Sequence, residues 1–160
     1  MIVVSNSGPL IVLAKIDRLT LLQGLYREVL IPKAVEQEVT GMGSDRPGAK
    51  EVGDAPWIQP TEVLDQLAVS LLREQLDAGE SAAIVLTLER QADILLIDEA
   101  RGRRIAQSKG LTHIGTVGIL VLAKRQGLIE TVTPALEQLM ASGFRMKDDL
   151  RQTAQRLAGE

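Results

Sequence analysis

Cysteine is absent from this chain of 160 residues, so neither a disulfide framework nor thiolate chemistry is open to it. Histidine occurs once, at position 113, with no partner at a metal-ligand spacing, and reads as a structural residue. Aromatic residues make up 2% (Trp57, Tyr26 and Phe144), too few for the base-stacking platforms of many single-strand binders. No apolar run approaches the ~18 residues a membrane helix needs. The first residues lack the basic start of a secretory signal, and their apolar run stops at Ser5. Together these features read as a cytoplasmic protein with no membrane partner. A basic excess is missing too: 18 Lys and Arg face 21 Asp and Glu, for a net charge of −3. A nucleic-acid site would therefore have to be a local basic patch. The sequence holds no GxxxxGK[ST], GxGxxG or HExxH motif, no internal repeat and no low-complexity segment.

What is present is an ordinary globular balance, 45% hydrophobic and 24% charged, in a length suited to one domain with a sizeable core. Residues 2–5 read as a short buried strand. Pro9 opens a helix expected to run to about Tyr26. A second strand (28–32) ends at Pro32 and leads into a short helix stopped near Gly41. The glycine- and proline-rich stretch 41–56 reads as a loop with about two helical turns after Pro47. A third strand at 57–60, a helix at 61–76 and another from Ser81 to about Gln91 follow. The segment 93–97 is the most apolar strand, and its four consecutive large residues predict burial on both faces. A helix rich in arginine (99–109), a strand (111–115) and a helix from Thr116 to near Gln126 come next. Two helices, about 133–142 and 146–157, are separated at Gly143.

Strands alternating with helices at this spacing predict an α/β fold: a parallel, doubly wound sheet of about five strands with helices on both faces. Such sheets bind ligands beyond the carboxyl ends of their strands, where the strand order reverses. Asn6 and Asp98 each stand just past a strand, so both are expected to face one crevice. Two acids after so apolar a strand, Asp98 and Glu99, cost free energy unless water, a cation or hydrogen-bond donors reach them. Helix capping competes as an explanation, with Asp98 as N-cap and Glu99 in the first turn, at ~0.5–1 kcal/mol each. Glu38, one turn into its helix, competes with a plain solvated glutamate, and its neighbour Glu36 reads as exposed. Glu80 at a helix start is open to the helix-dipole explanation, and Ser7, Gly8 and Thr116 to capping or turn roles. Arg101 and Arg104 share a helix face that Arg103 does not; they form either a solvated surface or a set of phosphate contacts.

Four segments in order, "VVSNSGPLIVLAKIDRLTLL", "IPKAVEQEV", "DAGESAAIVLTLERQADILLIDEARGRRIA" and "IGTVGILVLAKRQGLI", resemble PIN-domain proteins, in the prokaryotic branch close to the VapC-like toxins. The resemblance covers residues 1–145 as a PIN-like nuclease domain, with residues 146–160 as a C-terminal helical extension. It implies a crevice of three or four acids that hold Mg²⁺ or Mn²⁺ and hydrolyse RNA phosphodiesters. Carried over by position, the first acid falls on Asn6, the second on Glu38 and the third on Asp98. Glu99 is a further catalytic candidate and Glu80 a further metal ligand. Ser7 and Thr116 would orient the ligands, and Arg101 and Arg104 would hold the RNA backbone. Asn6 departs from the expected aspartate, and Thr116 stands where a fourth acid often does; both subtract charge from a cation site. The implied partners are an RNA substrate, a small antitoxin protein and a second copy of the chain. The amphipathic C-terminal segment, with Phe144, Met146, Leu150 and Leu157 docking, is a candidate for self-association. A PIN-like protein that grips RNA or a partner without cutting is the alternative that Asn6 favours. A phospho-acceptor receiver domain ranks below it, because no central acceptor aspartate and no lysine after the last strand is evident.

Overall fold

The structure, a computed structural model, describes residues 1–41 and 45–160. Five strands, β1 (Val3–Ser5), β2 (Val29–Pro32), β3 (Ile58–Thr61), β4 (Ile94–Leu96) and β5 (His113–Ile114), form one sheet in the order β3-β2-β1-β4-β5. Every pairing is parallel. The chain steps outward from β1 through β2 to β3, then returns to lay β4 on the other side of β1. The strand order thus reverses between β1 and β4, whose register pairs Val3 with Ile94 and Ser5 with Leu96.

Successive strand residues feed opposite faces, as a pleated sheet requires. Val3, Ile31 and Leu96 enter one core with α1 (Ser7–Lys15), α2 (Leu21–Tyr26), α3 (Lys33–Thr40), α4 (Ala49–Gly53), α8 (Thr116–Arg125), α9 (Thr133–Ala141) and α10 (Asp148–Leu157). Val4, Leu95 and Ile97 enter the other with α5 (Gln66–Leu72), α6 (Ala78–Glu89) and α7 (Ala100–Ser108). Leu95, Leu96 and Ile97 are all fully buried, as the apolar run predicts. Helices therefore cover both faces of the sheet. Helix α6 is buried all round from Gly79 to Thr87, wedged between the sheet, α3, α5 and α7. None of the described helices is long and apolar enough to cross a membrane.

Several elements differ from expectation. The helix expected from Pro9 to Tyr26 is two helices, α1 and α2. Asp17 takes a left-handed conformation (φ 58°), and the Asp17 and Arg18 amides donate to the Ala14 and Leu13 carbonyls at 3.0 and 2.8 Å. This is a Schellman cap closed by aspartate, a residue type that tolerates φ > 0. The helix expected at 61–76 is the seven-residue α5: Thr61 still belongs to β3, and the Asp65 carboxylate caps α5 by accepting from the Ala68 amide at 3.0 Å. After Pro47 the two expected turns shrink to α4, and the 42–44 part of that loop lies outside the described residues. In α10 the buried residue is Ala154, joined just past the helix end by Ala158; Leu150 and Leu157 stay exposed, while Phe144 and Met146 do pack on the core. Small side chains at that contact let α10 lie close to α8. Glu36, expected exposed, is half-buried.

Candidate active site at the strand switch point

Asn6 is the first residue beyond β1, and its amide donates to the Leu96 carbonyl of β4 at 2.9 Å. This bond carries the β1–β4 pairing to the end of both strands and fixes Asn6 at the switch point. Asn6 is buried, and its side-chain Oδ1 has no hydrogen-bond partner. An acceptor orphaned in this way costs ~1–3 kcal/mol. Ser7, next along, donates its hydroxyl to the Glu38 carboxylate on α3. Gly8 follows: a Cβ added there would lie 3.6 Å from Asp98 Oδ2. The segment 6–8 is thus the place where Glu38 from one side and Asp98 from the other are brought in.

Asp98 is held from beneath. Its Oδ1 accepts from the Thr116 amide at 2.7 Å and its Oδ2 from the Thr116 hydroxyl at 2.6 Å. Gly115 is required beside it, since a Cβ there would come within 2.8 Å of Oδ1. These bonds revise the capping expectation. Asp98 does not cap α7, which starts at Ala100 with Glu99 as its N-cap and no side-chain capping bond. It serves instead the first amide of α8, across the sheet, where a carboxylate also meets the positive end of the helix dipole. Thr116 correspondingly is the first helical residue of α8, and Gly115 is the N-cap. Glu38 rests against α6 at Gly79, where any Cβ would overlap its carboxylate.

Glu80 and Glu99 sit to one side of this cluster, in a cavity of about 400 Å³ that Asp77, Arg101 and Arg104 also line. Arg101 Nη1 donates to the Gln75 carbonyl at 3.2 Å. Asp77 N-caps α6 by accepting from the Glu80 amide at 2.8 Å. Burial, then the charge of the Asp77 carboxylate and its hydrogen bond, then the charge of Glu99, push the Glu80 carboxyl up to about 7. Arg103 takes a different direction, as the helical spacing predicts, and lines a groove with Asp98 and His113. Burial, with the Arg103 charge, holds the His113 imidazole below its ordinary range.

A family model described as a PIN domain matches residues 2–160. The chain belongs to the PIN-domain family. No curated protein and no solved structure matches it. PIN domains are generally nucleases that use divalent metals. Among the described residues, no three His, Cys, Asp or Glu side chains stand close enough together to hold a metal ion. In this PIN domain Asn6 stands beside Glu38 and Asp98 and offers a further oxygen to that pair. The orphaned Oδ1 fits that role, because hard divalent cations take amide and carboxylate oxygens alike. Gly79, Gly115 and Asp77 are not among the expected site residues, and Arg103 is expected only to lie on a different face from Arg101 and Arg104. The "DAGE" turn marks Asp77 and Gly79 locally, but nothing local marks what Gly115 must accommodate.

Proposed function

We propose that this PIN domain is a Mg²⁺- or Mn²⁺-dependent endoribonuclease of the VapC-like branch, the toxin of a toxin–antitoxin pair, acting in the cytoplasm. The observation that carries the reading is the buried, unpartnered Asn6 Oδ1 at the switch point, with the Ser7–Glu38 bond on one side and Asp98 on the other. Asn6, Glu38 and Asp98 would hold the cation. Bound there, a divalent ion supplies positive charge that polarises a phosphodiester and acidifies a nearby water. Thr116 fixes the Asp98 carboxylate with two hydrogen bonds, and Ser7 fixes Glu38 with one, so that their remaining oxygen lone pairs point to a constant place. Glu99 and Glu80 would serve a second ion, and Arg101 and Arg104 beside them would hold the RNA backbone. A small antitoxin protein and a second copy of the chain are the proposed protein partners. Leu64, Leu67 and Leu71, 80, 71 and 64% exposed, are an apolar strip that such a partner would cover.

A second reading is a weakened or inactive PIN domain that binds RNA or a partner without cutting. It is favoured by the missing charge at Asn6 and by the lack of a three-acid cluster among the described residues. Asp98→Ala separates the two. The nuclease reading expects loss of Mg²⁺-dependent RNA cleavage in a chain that still folds, at a thermal midpoint lowered by the loss of the two Thr116 bonds, about 1–3 kcal/mol. Unchanged cleavage refutes it. Cleavage that emerges only in Asn6→Asp supports the second reading.

A further inference from the structure

A groove of about 500 Å³ runs between α8 and α10, within the ~300–1,000 Å³ range of small-ligand sites. Asp98 lies at one end, with Arg103 beside it. Arg103 Nη1 and Asp98 Oδ1 lie 3.5 and 2.8 Å from the point where a Cβ on Gly115 would fall, so cation and carboxylate share one small patch. Arg125 and Arg145 also line the groove, and Val121 and Phe144 give it an apolar wall. Arg125 Nε donates to the Leu157 carbonyl at 3.1 Å, which steadies its guanidinium there. Among the described residues none of these three arginines is in an ion pair. A chain of net charge −3 thus gathers three unpaired guanidiniums against a single acid.

The geometry points to this groove as the track for a single-stranded RNA segment flanking the scissile bond, with its phosphates on Arg103, Arg125 and Arg145 and a base against Phe144. The inference rests on the nuclease reading, because the proposed cutting site at Asp98 is what makes one end of the groove the reacting end. Arginine matches phosphate geometry with paired donors, and an apolar wall suits a nucleobase face whatever its sequence. A helix from a protein partner is the competing occupant. An apolar one would bury three guanidiniums without partners, and an acidic one would set carboxylates against Asp98. A phosphodiester gives the guanidiniums their partners, and its own negative charge would be met at Asp98 by the cation proposed there, since it is the group to be cut.

The test is titration of labelled single-stranded RNA of about 12 nucleotides into the full chain in EDTA, which separates binding from cleavage. Arg145→Ala and Leu150→Glu are both at exposed positions that leave the fold intact, and Arg125→Ala is a third variant. Loss of one arginine–phosphate contact is expected to weaken binding about tenfold and to flatten the dependence of log K on log salt by about 0.7. Arg145→Lys should keep most of the salt slope. RNA affinity unchanged in Arg145→Ala and Leu150→Glu, in a wild-type chain that cleaves with Mg²⁺, overturns the groove and leaves the nuclease reading standing. A wild-type chain that neither binds nor cleaves RNA overturns both. RNA affinity unchanged while Leu150→Glu shifts the oligomeric state assigns the groove to a second copy and likewise overturns the inference.

Discussion

Replacing Glu80 by glutamine keeps the size and hydrogen-bonding reach of the side chain and removes its titration. In the folded chain the carboxyl is raised from 4.5 to about 7, first by burial and then by Asp77 and Glu99. Below pH 4.5 the residue is protonated whether folded or unfolded, and it contributes no pH dependence. Between 4.5 and about 7 the unfolded chain has lost the proton and the folded chain keeps it, so stability falls as pH rises. Above about 7 the loss is complete. At ~1.36 kcal/mol per pH unit, that interval sets a ceiling of about 3.4 kcal/mol, and solvent screening of the carboxyl brings the expected value to about 3 kcal/mol or less. Glu80→Gln should therefore match the wild type near pH 4.5 and exceed it by up to about 3 kcal/mol at pH 8, or roughly 6–12 °C in thermal midpoint for a chain of this size. Urea unfolding of both proteins in EDTA, stepped from pH 4.5 to 8, reads this directly. A difference that stays constant across that range, or a variant less stable at pH 8, refutes the reasoning.

Asn6→Asp adds a carboxylate to the proposed cation site and should tighten Mn²⁺ binding about tenfold by calorimetry, while lowering metal-free stability through repulsion from Asp98 and Glu38. Gly79→Ala pushes aside the end of a flexible side chain, Glu38, so unfolding free energy should change by less than ~1 kcal/mol while Mn²⁺ affinity falls. Gly115→Ala presses on Asp98 within 2.8 Å and should reduce cleavage more than stability, as measured by RNA hydrolysis beside thermal unfolding. Ile84→Ala empties a fully buried site in α6 and should cost about 2–5 kcal/mol in urea unfolding, whatever the metal content.

The apolar runs around residues 3, 31 and 96 announce buried strands because parallel strands covered on both faces need no polar alternation. The polar residues that end those runs, Asn6 and Asp98, then fall at the switch point by topology alone. The break at Asp17 was illegible: apolar residues on both sides of it keep a helical rhythm, and only the left-handed turn interrupts the chain. Helix α10 misled in another way, since periodicity favours large residues such as Leu150 and Leu157 where the contact is made by Ala154 and Ala158. At the site, local sequence reaches the residues but not their partners. Asp98 caps a helix that begins 18 residues later, and Glu38 meets Ser7 across 31 positions. Gly79 and Gly115 look like any other glycine until the carboxylates beside them are placed. The divergent directions of Arg101 and Arg103 follow from helical geometry and were legible; which cavity each would line was not.

A crystal soaked in Mn²⁺, with anomalous density collected at the metal edge, tests the central claim most directly. The account predicts a peak bonded to Asn6 Oδ1 and Asp98, with Glu38 bound directly or through water, whether or not a second ion occupies the Glu80–Glu99 side. A saturating soak that leaves this position without a peak, or places the ion away from Asn6 and Asp98, contradicts it.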